Sequence, residues 1–160
     1  MRIEISIKNQ TLTLFDNFGG VKVKYSISTA ANGVGSEKNS CKTPLGEHII
    51  RAKIGSAALA NTVFVGRRAT GETWTPGLMA QFPNRDWILT RILWLSGKEV
   101  GSNRLGNVDT MQRYIYIHGT PEITEMGKIG SHGCIRMRNE DIIELFDLVE
   151  AGTSVLIYED

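Results

Sequence analysis

Apolar and polar residues alternate along most segments of this chain, and this alternation is the feature that most limits its fold. The first alternating run covers 3–7, and a second covers 12–14 after a polar break at 9–10. Successive side chains of a strand point to opposite faces, so such alternation predicts strands with one buried face. A turn at 17–20 leads into a third predicted strand at 21–28, which gives an opening meander.

Further runs of the same kind follow a polar, glycine-containing loop from 29 to 42. Pro44 and Gly46 predict a turn before the next strand-like run. A helix is compatible with the composition of 87–97, but the alternation of apolar residues there favours a strand. The other predicted strands cover 62–66, 113–119 and 154–159.

One segment has the pattern of a helix, from Asn139 to Gly152. Asn139 is the predicted N-cap, and Glu140 and Asp141 place acids in the first turn. The apolar stripe consists of Ile142, Leu145, Phe146 and Val149. Gly152 is placed as the stop signal. The chain of 160 residues is therefore predicted to be one mainly β domain, 1–160, with one helix near its C-terminus.

The charge balance excludes several classes of partner. Lys and Arg number 18 and Asp and Glu number 17, so no field attracts nucleic acid or an anionic membrane. No window approaches the roughly 18 apolar residues of a membrane span. The first residues lack the basic start and apolar core of a signal peptide. With Met1 as the natural start we expect a cytoplasmic protein, whereas a trimmed mature form would be periplasmic.

Chemistry-bearing residues concentrate in the segment HGTPEITEMGKIGSHGCIRM, from His118 to Met137. A thiol at its ordinary pKa is only a few per cent ionised at neutral pH, so a catalytic Cys134 needs a base or a cationic environment. His118 ends a strand-like run, and glycine-rich loops could bring it to Cys134. His132 is a second possible base, because in an extended segment it would share a face with Cys134.

Two alternatives stay open at the level of residue spacing. His118, His132 and Cys134 could be three zinc ligands, although the chain has neither a C-x-x-C pair nor an H-E-x-x-H helix. The cysteines could also be ordinary core residues. That interpretation is the expected one for Cys41, as a small buried hydrophobe and a free thiol.

The residues also resemble a known family. IHGT at 117–120 followed by SHGCIRM at 131–137 is similar to the signature of the L,D-transpeptidase catalytic domain, also called YkuD. KTPLGEHII resembles the upstream turn of that family, with His48 where Phe or Tyr is usual. The resemblance covers essentially the whole chain, apart from 67–107, where little is recognisable. It implies a YkuD-like β-sandwich or barrel of mixed strands.

The resemblance also implies catalytic roles. Cys134 matches the nucleophile, and His118 matches the general base, oriented by the backbone carbonyl of Gly119. The amides of Gly133 and Cys134, with His132 beside them, match the oxyanion region. No metal and no cofactor is implied.

Substrate contacts are implied for Arg136, Ser131 and His132. A guanidinium at Arg136 suits a carboxylate of the substrate or its backbone. The alternative for Arg136 is a surface salt bridge with Glu140 or Asp141. For His132 the alternative is packing or hydrogen bonding without chemistry.

The implied reaction is acyl transfer from a peptidoglycan tetrapeptide stem, in which a D-amino acid leaves and a thioester forms on the cysteine. Water as acceptor makes an L,D-carboxypeptidase, and an amine from another stem makes an L,D-crosslink. The expected cytoplasmic location favours a carboxypeptidase that trims soluble muropeptides during wall recycling. The alternatives are an L,D-transpeptidase and, from another class, a non-catalytic module that binds wall peptides. Carbapenem-type inhibitors are further expected ligands by resemblance.

Overall fold

The alternating segments join into a single ten-stranded sheet in a computed structural model of residues 1–160. The strands are β1 (Arg2–Ser6), β2 (Thr11–Phe15), β3 (Val21–Ser26), β4 (Gly46–Ile54), β5 (Thr62–Val65), β6 (Arg68–Thr73), β7 (Ile88–Gly97), β8 (Tyr116–Gly119), β9 (Ile135–Met137) and β10 (Ser154–Tyr158). Their order is β3-β2-β1-β10-β4-β7-β5-β6, while β8 branches from β7 and pairs with β9. The β1–β10 and β8–β9 pairs are parallel and the others antiparallel, so the sheet is mixed.

Two α-helices accompany the sheet: α1 (Pro76–Gln81) and α2 (Asn139–Leu148). A short 3-10 turn covers Gly106–Val108. Helix α2 packs against β7 and β8, and so supports the sheet behind these strands. The prediction of a mainly β fold with a helix near the C-terminus is confirmed, as is the strand at 87–97.

The core lies where the buried faces of the central strands meet α2. The alternation at the start of the chain buries Ile3 and Ile5 almost completely, and Leu145 of α2 is fully buried with them in the main apolar cluster. Each fully buried side chain of this size contributes about 1.5–3 kcal/mol of transfer free energy. This packing keeps β8 fixed against the helix.

The predicted ends of α2 are wrong. Arg138 is the N-cap, and Asn139 is already helical. The Asn139 side chain makes tertiary hydrogen bonds to Thr90 and Asn61 instead of capping the helix. At the other end the helix stops at Leu148, with the N–H of the C-cap residue bonded to Leu145, rather than at Gly152.

Some strand boundaries and one region also differ from prediction. β3 ends at Ser26, two residues before the predicted end. The run at 113–119 contributes only β8, because a turn at 111–114 with Tyr114 at φ +57° comes first. The segment 67–107, where little of the family is recognisable, contains β6 and α1 in addition to the predicted strand β7.

The unusual histidine of β4, His48, is fully buried. Its Nδ1 lies 3.0 Å from the carbonyl oxygen of Gly46, and its Nε2 lies 3.0 Å from the hydroxyl of Thr110. A carbonyl only accepts, so Nδ1 carries the hydrogen and Nε2 accepts from Thr110. Burial lowers the pKa of His48 to about 4, although the hydrogen bond to Gly46 acts to raise it. The site therefore holds a neutral imidazole in place of the usual Phe or Tyr side chain.

We expect this histidine to make the protein sensitive to acid. The folded-state pKa lies below the ordinary 6.5, so the unfolded chain takes up a proton that the folded chain refuses as the pH falls from 6.5 to about 4. The His48 contribution to stability, present in full above pH 6.5, should fall over that window by on the order of 3 kcal/mol. Urea unfolding of wild type and His48→Phe at several pH values measures it. A variant with the same pH slope as wild type would contradict the expectation.

Candidate active site

Three neighbouring strands place the candidate catalytic side chains on one face of the sheet. His118 of β8 pairs with Arg136 of β9 and with Ile92 of β7. Cys134 comes just before β9, beside Tyr116, whose backbone N–H donates to its Sγ at 3.3 Å. Paired residues on neighbouring strands point to the same side of the sheet, so His118 and Arg136 share a face. Cys134 lies two residues before Arg136, and the pairing therefore brings His118 and Cys134 onto one face.

The imidazole of His118 is buried and held in one tautomer. Its Nδ1 lies 2.6 Å from the carbonyl oxygen of Gly119. Because a carbonyl can only accept, Nδ1 carries the hydrogen and Nε2 keeps its lone pair. Burial lowers the pKa of His118 below its ordinary value, so the ring is neutral at neutral pH. Such a ring is equipped to accept a proton at Nε2.

Gly119, whose carbonyl orients the histidine, has no space for a side chain. A Cβ atom there would approach Asn139 Oδ1 and would lie 2.6 Å from the Leu89 carbonyl oxygen. Behind it, the Thr90 hydroxyl donates to Asn139 Oδ1 at 2.7 Å, and the Asn139 amide donates to Asn61 Oδ1 at 2.9 Å. Thr90 has φ +76°, an outlier for a β-branched residue, at a bulge of β7. This network fixes the strand that carries His118.

The thiol of Cys134 is held by the backbone of the strand beside it. Sγ accepts from the N–H of Tyr116 and donates to the carbonyl oxygen of Tyr114 at 3.4 Å. Burial raises the pKa of this thiol to about 12, although the Tyr116 N–H and the Arg113 guanidinium oppose the rise. No hydrogen bond joins Cys134 to His118, a bond that in many enzymes tightens only around substrate. The resting pair is therefore a neutral thiol and a neutral imidazole.

The turn before Cys134 is closed by the side chain of Ser131. Its hydroxyl donates to the Cys134 carbonyl oxygen at 2.6 Å and accepts from the Gly133 N–H at 3.2 Å. Ser131 is buried, so its hydroxyl holds this turn and does not face the cavity, which corrects the expected substrate contact. The Gly133 amide is likewise engaged. Of the two amides expected at the oxyanion region, the Cys134 N–H is the one left without an acceptor.

His132 lies in a bend, not in the extended segment that would place it on one face with Cys134. Gly133 at φ +130° turns the chain between them. The His132 side chain is 67% exposed, and its Nδ1 lies 3.7 Å from Asp86 Oδ1. Of the two histidines, His118 thus has the oriented, buried imidazole that a general base requires.

Arg136 is paired, but with a residue that sequence reasoning missed. Its Nη2 lies 3.4 Å from Asp86 Oδ1, and its Nη1 donates to the Gly130 carbonyl oxygen at 3.0 Å. The expected alternative partners Glu140 and Asp141 do not pair with it. Asp141 lies 3.8 Å from Arg138 instead. Asp86 belongs to the segment between α1 and β7, and no local pattern distinguishes it there.

A cavity of about 470 Å³ opens over Cys134. Arg67, Arg113 and Asp86 supply the charged part of its lining, and His132 and Tyr116 also face it. The Arg113 guanidinium donates to the Lys42 carbonyl oxygen at 2.7 Å, so it ties the loop at 35–42 to this side of the cavity. The cavity thus places two cationic side chains and one carboxylate around the thiol of Cys134.

The second cysteine, Cys41, is exposed, which corrects its expected place in the core. It lines a separate cavity of about 280 Å³ next to His132 and Tyr114. No disulfide joins it to Cys134.

Two further features of the structure bear on the alternatives. No group of three or more His, Cys, Asp or Glu side chains is arranged to hold a metal ion, and Nδ1 of His118 is hydrogen-bonded to a carbonyl. Neither helix combines the length and apolar character needed to cross a bilayer.

Comparison with known proteins identifies the family. The family model described as the L,D-transpeptidase catalytic domain, YkuD, matches residues 1–157. The chain belongs to this family. The resemblance of the two histidine-glycine motifs is thereby confirmed at the level of the family, and the YkuD-type fold with it.

Individual L,D-transpeptidases agree with this assignment. A Fuscovulum blasticum protein that carries the L,D-transpeptidase name, from the ATP synthase subunits region, is 34% identical over 98 residues, 57% of this chain and 46% of that protein. An Enterococcus faecium L,D-transpeptidase variant superimposes with TM-score 0.58 at 21% identity, covering 98% of this chain and 49% of that one. Mycobacterium tuberculosis L,D-transpeptidase 3 with a faropenem-derived adduct superimposes with TM-score 0.57 at 18% sequence identity. The superposition covers 98% of this chain and 59% of that one.

At sequence identities of 21% and 18%, these superpositions establish that the proteins share a fold. The L,D-transpeptidase domain described here spans half or less of the length of the relatives that it matches by sequence. Other structures with this fold were solved with avibactam or imipenem.

We expect alkylation of Cys134 by iodoacetamide to be slow at neutral pH and to rise without a plateau into the alkaline range. The pKa of the thiol is raised to about 12, so the reactive thiolate fraction should grow about 100-fold between pH 7 and 9. Arg113→Met removes a cation that opposes this rise and should slow the reaction further at every pH. Peptide mapping by mass spectrometry separates Cys134 from Cys41. A plateau below pH 8 would show a thiolate that is already formed.

Proposed function

We propose that this L,D-transpeptidase-family domain cleaves the bond between the L-centre of the third residue and D-Ala in peptidoglycan tetrapeptide stems. Cys134 is the nucleophile and His118 the general base. The observation that carries the proposal is the Nδ1 hydrogen bond of His118 to Gly119, on the same face as Cys134. It leaves Nε2 ready to receive the thiol proton.

The first half of the reaction forms a thioester. As Sγ of Cys134 attacks the carbonyl carbon, its proton passes to Nε2 of His118, so the thiolate need not exist beforehand. The carbonyl oxygen becomes an oxyanion, to which the Cys134 N–H can donate. The C–N bond then breaks, and His118 returns the proton to the departing amine of D-Ala. The stem remains on the cysteine as a tripeptide acyl group.

The second half requires an acceptor, and we propose water. His118 takes a proton from water, which attacks the thioester carbon, and the thiol is re-formed as the tripeptide carboxylate leaves. A neighbouring cavity of about 350 Å³ beyond His132 and Arg136 also carries Arg85 and is lined by no carboxylate. Such a lining does not attract the ammonium group of a second stem, and it therefore supports hydrolysis over crosslinking.

Transpeptidation is the second candidate, and the same neighbouring cavity is the observation in its favour. Its lining includes Arg136, which pairs with His118 in the sheet, and it has room for an acceptor chain. A module that only binds wall peptides does not require a buried histidine held in one tautomer, as His118 is by the Gly119 carbonyl. The geometry therefore does not support that alternative.

We further propose that the donors are soluble muropeptides in the cytoplasm, where trimming of tetrapeptide to tripeptide serves wall recycling. The balanced formal charge of +1 is compatible with a free peptide donor. Carbapenems and related inhibitors are proposed ligands of Cys134, since relatives of this fold were solved with such compounds.

Cys134→Ala should abolish turnover of a defined tetrapeptide without unfolding the domain, and His118→Ala should lower kcat by about 10² to 10⁴. Cys41→Ala is the matched control at the other thiol and should stay near wild type, because Cys41 is exposed outside this site. Release of D-Ala, followed by mass spectrometry, measures turnover. Full activity of Cys134→Ala, or its loss in Cys41→Ala, would remove the assignment of the nucleophile.

Product analysis should show tripeptide and D-Ala as the main products, even with a millimolar amine acceptor present. The lack of a carboxylate in the lining of the cavity beyond Arg136 is the physical reason for this expectation. The measurement compares the yields of tripeptide and of crosslinked dimer by mass spectrometry at rising acceptor concentration. Dimer as the main product would overturn the hydrolase assignment and leave the cysteine chemistry in place.

A further inference from the structure

The hairpin between β5 and β6 carries an arginine at its tip in an unfavourable backbone conformation. Gly66 has φ +57° and Arg67 has φ +64°, the signs of a type I′ turn. Such turns favour Asn-Gly, so glycine would be the easier residue where Arg67 stands. The contacts of the Arg67 side chain therefore need to be considered alongside this backbone conformation.

The guanidinium of Arg67 rests on aromatic rings beside Cys134. The central guanidinium carbon, Cζ, lies 4.6 Å from the centroid of the Trp94 ring and 4.9 Å from that of the Tyr114 ring. Its Nη1 donates to the Tyr116 hydroxyl at 3.0 Å. These partners hold the group in place but carry no charge, and no carboxylate pairs with Arg67.

Strand register places Arg67 and the base toward opposite ends of the site. Trp94 pairs with Tyr116, and two residues further along β8 His118 pairs with Arg136. The leaving D-amino acid takes its proton from His118, so it departs at that end. The acyl part of the stem, with the side chain of its third residue, then extends toward Arg67.

Arg67 is the arginine of the Cys134 cavity with the most free donors, because its guanidinium makes one hydrogen bond, to the Tyr116 hydroxyl. Arg113 donates to backbone and hydroxyl oxygens of the loop at 35–42. Asp86 is shared between Arg136 and His132. A planar guanidinium with free N–H groups is suited to a carboxylate.

We propose that Arg67 is a specificity-determining residue that binds the side-chain carboxylate of a diaminopimelate at the third position of the donor stem. The inference rests on the proposed function and adds the identity of that third residue. Lysine at this position has the same side-chain ammonium group but lacks the carboxylate that offsets its charge. Amidated diaminopimelate keeps the shape and loses the charge.

The first test compares kcat/KM for matched tetrapeptides with diaminopimelate, amidated diaminopimelate or lysine at the third position. Wild type should prefer the free carboxylate, and Arg67→Gln should lower kcat/KM for that stem alone by about 10- to 100-fold, which equalises the three. Arg67→Lys keeps the charge and should restore part of the preference. Arg68→Gln, at the exposed neighbour in the hairpin, is the control and should match wild type.

The second test needs no peptide substrate. At pH 9, iodoacetate carries a carboxylate and iodoacetamide does not, so their alkylation rates at Cys134 report the anion site directly. Arg67→Gln should slow iodoacetate several-fold and leave iodoacetamide unchanged, whereas a damaged fold would alter both. A Cys41→Ser background removes the other thiol.

The outcomes separate the two proposals. If wild type cleaves all three stems equally and Arg67→Gln lowers them equally, the specificity role falls and the proposed function stands. If no stem is cleaved, the proposed function falls, and with it the diaminopimelate assignment. An unchanged ratio of iodoacetate to iodoacetamide rates in Arg67→Gln would overturn the anion site itself.

Discussion

The parallel pairing of β8 with β9 is the constraint on which the site depends. It is short, joining Ile117 to Ile135 and His118 to Arg136, yet it brings together segments that the chain separates by a long loop. Its position is secured from both sides, because α2 packs behind β8 and Ser28 bridges to Arg136. Without this register the base and the thiol would have no common face.

Burial determines the electrostatic state of that face. It lowers the pKa of His118 and raises that of Cys134, so both groups rest uncharged in the free protein. An ion pair formed in advance would react with any electrophile. A neutral pair reacts when a bound carbonyl makes proton transfer favourable, so reactivity is tied to substrate occupancy. The Arg113 and Arg136 side chains place positive charge near the thiol without ionising it in advance.

Local patterns were sufficient for most of the strands, because alternation is continuous in sequence. They could not reveal Asp86 or Arg67, whose importance comes from contacts with Arg136 and Trp94 across the fold. Asn139 has the local character of an N-cap, but tertiary hydrogen bonds to Thr90 and Asn61 outcompeted that preference. The same holds for Ser131, whose hydroxyl faces its own turn.

The hydrogen-bonded network behind Gly119 joins a loop, a strand and a helix through Asn61, Thr90 and Asn139. Each of these side chains has its partners only in the other two, and the strained backbone at Thr90 persists because they hold it. A substitution at one position leaves the polar groups at the others without their hydrogen-bond partners. The three residues therefore form one structural unit, in which the backbone of β7 and the position of α2 depend on each other.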